Sequence, residues 1–141
     1  MENQFTRTEM LIGNDAVEKL KQAHVAVFGI GGVGSYVVEA LARAGVGNLV
    51  LIDNDDVNLT NINRQIIALH STVGKSKVEV AKARVLDINS GVNVKIYKTF
   101  FSPENSSKFD FSKYDYVVDA IDSVTGKIEL VLRAQEANAP I

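Results

Sequence analysis

The sequence predicts an α/β, Rossmann-like fold: a mostly parallel sheet flanked by helices, with an N-terminal helical segment over residues 1–23. Three observations predict it. Short apolar, β-branched runs at His24–Phe28, Leu49–Ile52 and Tyr116–Ala120 look like strands buried on both faces. Stretches with helical spacing at residues 35–44, 77–89 and 123–137 alternate with them, the order of βαβ units. A glycine-rich turn, Gly29-Ile30-Gly31-Gly32-Val33-Gly34, joins the first strand to the first of these helices.

The elements follow in order. Residues 1–23 precede the first strand and are expected to form one or two short helices on its flank. After the glycine turn, Val37, Val38, Leu41 and Ala42 recur at helical spacing, and Gly45 and Gly47 supply the stop. Leu49–Ile52 ends at Asp53, and residues 54–75 read as a polar loop region with a short helix around Ile62–Leu69. In the helix beginning at Lys77, Val78, Ala81, Val85 and Ile88 share one side, and Ser90-Gly91 closes it. Val92–Thr99 alternates as a half-exposed strand does. The Phe100-Phe101 and Phe109/Phe111 pairs are expected to pack the 100–115 segment rather than to stack on a base. The ending Asn138-Ala139-Pro140-Ile141 reads as a loop leading into another strand, so a truncated chain, or a sheet completed by a partner, is expected.

Composition narrows the classes of function. A chain of 141 residues fits one domain, residues 24–141 being its nucleotide-binding part. It has no cysteine, which excludes disulfides, thiolate nucleophiles and cysteine-ligated zinc within these residues. The formal net charge of −2 argues against a generic basic wrap for nucleic acid. No apolar run is long enough for a membrane span and the N-terminus is polar, so the default compartment is the cytoplasm.

The glycine turn carries the chemistry. Gly29 permits the tight turn, Gly31 and Gly32 let phosphate oxygens approach backbone N–H groups, and Gly34 permits close helix–strand packing. The helix N-terminus adds partial positive charge at the same place. Asp53 stands about 20 residues beyond the turn, where a carboxylate accepts ribose hydroxyls. The glycines alone do not separate ATP from NAD or FAD. A triphosphate needs more cationic partners, and Asn61, Arg64 and Gln65 follow the ribose acid directly, with Lys77 after them. The plainer alternatives are a surface ion pair of Arg64 with Asp55 or Asp56, and a solvated helix face for Lys77. Asp119 and Asp122 end a strand at the sheet edge where ligands bind, and one acid there can hold Mg²⁺ between phosphates. The alternative is helix N-capping by Asp122 or Ser123. His24 and His70 read as structural or surface residues.

The segments GIGGVGS, AGVGNLVLIDNDDVNLTNINRQ, VGKSK and VVDAID together resemble the ThiF/MoeB/HesA superfamily, which includes ubiquitin-activating enzymes. The resemblance covers about Phe5 to Ile141. It implies adenylation of a carboxylate with Mg-ATP, with Gly29, Gly31, Gly32 and Gly34 as the phosphate loop and Asp53 as the ribose ligand. It further implies nucleotide contacts from Asp55, Asn61, Arg64, Gln65 and Lys77, and a metal-binding aspartate at Asp122 that is essential for catalysis. Arg7 matches the arginine that reaches the partner's active site in family homodimers. FTRTEMLIGNDAVEKL and VVDAIDSVTGKIEL are most similar to the branch that dehydrates threonylcarbamoyladenosine in tRNA, which implies tRNA as substrate. Other branches activate the C-terminus of a ubiquitin-like sulfur-carrier protein, and that alternative stands beside a redox or non-catalytic nucleotide-binding module. Family members are considerably longer, which implies that the C-terminal part of the family domain is absent here.

Overall fold

The strand stretches form one sheet because they can be buried on both sides. The computed structural model describes residues 1–141. Its elements are α1 (Thr6–Ile12), α2 (Asn14–Gln22), β1 (His24–Phe28), α3 (Gly34–Ala44), β2 (Asn48–Ile52), α4 (Lys77–Ile88), β3 (Asn93–Tyr97), β4 (Tyr116–Asp119) and α5 (Val124–Glu136). The four strands are all parallel, in the order β3-β2-β1-β4. Val25 and Val27 of β1, with Leu49 and Leu51 of β2, face Val38 and Ala42 of α3 and Val78, Ala81 and Val85 of α4. The other face carries Ala26, Phe28, Val50, Ile52 and Val117, packed against Leu130 and Ala134 of α5 and against Phe101, Phe109 and Phe111. Phe28 is fully buried, with ring centroids 4.8 Å from Phe101 and 5.7 Å from both Phe109 and Phe111.

This topology fixes where a ligand belongs. The chain winds β1-α3-β2-α4-β3 to one side of β1, then crosses to place β4 on the other side. The carboxyl ends of β1, β2 and β4 therefore converge at a switch point, where crevices of open α/β sheets form. The N-terminal helices attach to the opposite end: Asn48 donates its N–H to Ala23 O, Gly47 donates to Leu20 O, and Val17 is buried. At the free edge of β4, Val117 donates to the carbonyl of Pro140 at 2.8 Å.

One expected element is different. No helix spans Ile62–Leu69. Leu59–Asn61 is a single 3₁₀ turn, and separate turns follow it. The polar side chains explain this. Asn58 accepts the Thr60 N–H and Asn61 Oδ1 accepts the Asn58 N–H at 2.7 Å, which closes the 3₁₀ turn. Beyond it the Ile66 N–H goes to Ser35 Oγ at 3.4 Å and the Leu69 N–H to Thr72 Oγ1 at 2.8 Å, in place of a helical ladder. No helix of the structure is long and apolar enough to cross a membrane.

Candidate functional site

A cleft of about 560 Å³ opens at the switch point. Its floor is the turn after β1. Gly29 has φ +96°, and a Cβ there would stand 2.3 Å from the Ala120 carbonyl oxygen. Gly34 is tighter still, because a Cβ would lie 1.7 Å from Gly29 O. Gly31 and Gly32 have room around them and line the cleft, the nearest groups being the Gln65 amide and the Arg64 stem at 3.6–3.7 Å from an added Cβ. Two of the four glycines are thus set by close packing, and the other two leave main chain open to a ligand. A dinucleotide or nucleotide phosphate uses that kind of opening at a helix N-terminus.

Asp53 ends β2 and ties the floor to the next wall. Its Oδ2 accepts the Ile30 N–H at 2.7 Å and its Oδ1 accepts the Asp55 N–H at 2.8 Å. Each oxygen keeps a second lone pair for a hydroxyl. Beyond it, the 54–77 segment brings Asp55, Asn61, Arg64, Gln65 and Lys77 to the cleft. Lys77 is only 5% exposed, which overturns the solvated-face alternative. Its Nζ is 3.7 Å from Asp55 Oδ2, beyond hydrogen-bond reach, and Asp55 itself is 66% exposed. The Lys77 stem is buried while its ammonium opens on the cleft with a distant, solvated counterion and no hydrogen bond within the protein, which leaves it free to take an additional anion there. Arg64 makes no ion pair with Asp55 or Asp56, so that alternative also fails. One of its nitrogens donates to Thr60 O at 3.1 Å and to Asn63 Oδ1 at 3.0 Å, and its stem lies beside Gly32. Gln65 is buried, and its Oε1 has no hydrogen-bond partner.

The third wall follows β4. Ser123, not Asp122, caps α5 by accepting the Gly126 N–H at 3.2 Å. Asp119 is held by Lys127 at 3.1 Å. Of the two acids, only Asp122 is exposed to the cleft with no cation within 4 Å. No group of three or more His, Cys, Asp or Glu side chains gathers anywhere in the chain to hold a metal alone. A single carboxylate fits magnesium, which fills its coordination shell with water and substrate phosphates.

Of the residues expected at the site, Gly34 and Arg7 do not line the cleft. Gly34 lies behind the floor, and Arg7 is exposed on α1. Phe100 corrects the expectation that it packs with its neighbours: Phe101, Phe109 and Phe111 are buried, but Phe100 is 55% exposed and forms part of the cleft wall with Thr99. The two-residue alternation of an extended segment sends adjacent phenylalanines to opposite sides, the one signal that points to it in the sequence. His24 and His70 stand apart from the cleft, as expected.

Comparison with known proteins agrees with this geometry. The chain matches the ThiF family over residues 5–141. It is 47% identical over 141 residues to the tRNA threonylcarbamoyladenosine dehydratase of Bacillus subtilis, covering all of this chain and 56% of that protein. Identity to the Haemophilus influenzae protein of the same name is 52% over 130 residues, covering 92% of this chain and 50% of the relative. The crystal structure of Escherichia coli tRNA N6-threonylcarbamoyladenosine dehydratase in complex with ATP superposes with a TM-score of 0.94 at 44% identity, covering 97% of this chain and 56% of that one. The chain spans about half the length of the curated relatives it matches. With the glycine floor, the Asp53 carboxylate and Lys77 in one cleft, it belongs to the ThiF family.

Proposed function

We propose that the cleft binds Mg-ATP and activates a carboxylate as its adenylate, and that in the whole protein this carboxylate belongs to the threonylcarbamoyl group of a modified tRNA adenosine. The under-satisfied Lys77 ammonium carries the proposal: it stands on one side of the amide floor, with the unpaired Asp122 carboxylate on the other. A redox dinucleotide needs no second cation of this kind. The relatives' names and the ATP complex of the Escherichia coli enzyme support the same assignment.

In this scheme a substrate carboxylate oxygen attacks the α-phosphorus, the bond to the bridging oxygen breaks, and pyrophosphate leaves with the electron pair. The activated side chain then cyclises, AMP departs, and the net change is loss of water. The protein contributes alignment and charge neutralisation rather than a nucleophile. The amides of Gly31 and Gly32, the Arg64 fork and the Lys77 point charge face the phosphates, Asp53 takes the ribose, and Asn61 and Gln65 complete the wall. Asp55, beside Lys77, keeps that ammonium oriented. Asp122 would hold Mg²⁺, which offsets phosphate charge when bound. Arg7, remote from its own cleft, serves the cleft of the other subunit in a homodimer.

The test is ATP–pyrophosphate exchange dependent on threonylcarbamoylated tRNA. Asp122→Asn is expected to keep ATP binding, read as thermal stabilisation, and to lose exchange by about 100-fold or more, the usual effect of deleting one electrostatic contact to the transition state. Exchange at the wild-type rate in that variant removes Asp122 from the scheme. Stabilisation by NAD or FAD but not by ATP refutes the nucleotide assignment.

A further inference from the structure

The second face of the sheet is incompletely covered. On the α3/α4 side the strands are packed, but on the other side α5 and the phenylalanine cluster cover β1, β4 and Val50 and Ile52 of β2 and leave the edge strand β3 open, with Asn93, Lys95 and Tyr97 exposed. A trough of about 380 Å³ lies along this open strip. Its floor is Val50 beside Lys95, paired in register on β2 and β3. Its far wall is the 108–114 segment, which contributes Lys108 and Lys113.

Two features give the trough a chemical character. First, three lysines face a single aspartate, Asp110, whose carboxylate already accepts the Ser112 N–H at 3.1 Å and has Lys113 at 3.9 Å. The excess is positive in a chain whose formal net charge is −2. Asp115, near the His24 end, is occupied by the His24 N–H at 2.8 Å. Second, aromatic rings alternate with the lysines. Tyr97 is 39% exposed and rests edge-on against Phe109 at 5.1 Å, and Tyr114 rests edge-on against Phe111 at 5.5 Å. Burial pushes the Tyr114 phenol up to about 12, so it remains a neutral donor at any working pH. The trough runs along β3 from His24, Asn48 and Asn93 at the amino ends of the strands to Tyr97 at the carboxyl end, and only this last end approaches the nucleotide cleft, two residues before Thr99 in its wall.

Cations interleaved with anchored aromatic rings suit a chain of phosphates that also presents unstacked bases. An acidic protein surface would use the lysines and leave the rings without a role. We propose that this trough holds the sugar–phosphate backbone of a single-stranded RNA loop beside the nucleotide cleft, with Lys95, Lys108 and Lys113 as the phosphate contacts. The proposal rests on the tRNA-modifying role given above and adds a docking surface to it.

The experiment titrates fluorescein-labelled tRNA with this 141-residue chain at several salt concentrations and reads anisotropy. Each phosphate contact on a single strand contributes about 0.7 to the slope of log affinity against log salt, so K95Q/K108Q/K113Q is expected to flatten the slope by about 2. It should bind at least about tenfold more weakly at low salt. The K95R/K108R/K113R chain is expected to retain the wild-type slope. The glutamine variant should keep its melting temperature and its stabilisation by Mg-ATP, which separates the trough from the cleft. An unchanged slope in the glutamine variant overturns the proposal, as does a wild-type chain that binds no tRNA. So does a glutamine variant that loses an acidic carrier protein while keeping tRNA. Pyrophosphate exchange judges the adenylation role separately, so failure of the trough and failure of that role give different results.

Discussion

Replacing Lys77 by methionine should move stability and nucleotide binding in opposite directions. The lysine stem is buried and the counterion of its ammonium is 3.7 Å away, so the free protein gains little from the charge and bears part of its desolvation. Methionine has similar length and no charge, and the Asp55 left behind is solvated. At about 2.1 cal/mol/K per residue, a 141-residue chain unfolds with roughly 0.3 kcal/mol/K of entropy, so 1 kcal/mol moves the midpoint by about 3 °C. The nucleotide-free Lys77→Met chain should melt at the wild-type temperature or up to about 3 °C higher. With Mg-ATP at a hundred times its Kd, the wild-type chain should gain about 2.7 kcal/mol, or about 9 °C. Losing one charge-assisted bond to phosphate removes about 2 kcal/mol, a factor of about 30 in affinity. At the same ATP concentration the variant then gains only about 0.9 kcal/mol, or about 3 °C. Differential scanning fluorimetry with and without Mg-ATP reads both numbers. A variant that keeps the full ATP shift refutes the phosphate role. A nucleotide-free midpoint several degrees below wild type shows instead that Lys77 and Asp55 form a structural ion pair.

The two kinds of glycine in the floor should separate by substitution. Gly34→Ala forces a Cβ to 1.7 Å from Gly29 O and should cost about 3 kcal/mol or more, read by thermal melting, whereas Gly32→Ala meets only the Arg64 stem at 3.6 Å and should melt normally but lose ATP stabilisation. Similar melting for the two variants contradicts this division. Glu39 supplies a pH test. Its bond with the Arg84 guanidinium holds the carboxylate below the ordinary 4.5, so the pair stabilises fully above pH 4.5 and is lost as pH falls through the lower folded value. Glu39→Gln should therefore lower the urea midpoint at pH 7 and flatten its decline toward pH 3, and parallel acid limbs in variant and wild type would contradict the assignment.

The regular elements were legible because burial imposes a period. Strands covered on both faces must be apolar throughout, as His24–Phe28 nearly is, and α4 must present Val78, Ala81 and Val85 on one side. Between Asn58 and Leu69 the rule fails. Ile62, Ile66, Ile67 and Leu69 have helix-like spacing, but the Ile66 and Leu69 N–H groups go to the Ser35 and Thr72 hydroxyls rather than to a helical ladder, and the segment breaks into turns. At the site, residue types were readable and their surroundings were not. Nothing in the letters says that Lys77 is buried, that Ser123 takes the cap and leaves Asp122 unpaired, or that Phe100 turns away from Phe101. The lysine trough was invisible for a related reason. Lys95 comes from a strand and Lys108 and Lys113 from a loop, so only the sheet brings them together.

The contact between Gly29 and Ala120 has a mechanical consequence. Ala120 donates its N–H to Phe28 O, its carbonyl fills the space a side chain on Gly29 would need, and its methyl abuts Gly34. The glycine floor and the Asp122 wall are therefore clamped into one rigid body. The third side of the cleft, the 54–77 stretch, is built from turns and is anchored separately, by Val57, Ile67 and Ala68 buried in the α3/α4-side core and by the Ile66 N–H on Ser35 Oγ at 3.4 Å. The clamp also makes position 120 a shared part, because enlarging that methyl would displace the floor and the wall together, and with them the spacing between the backbone amides and the lone carboxylate.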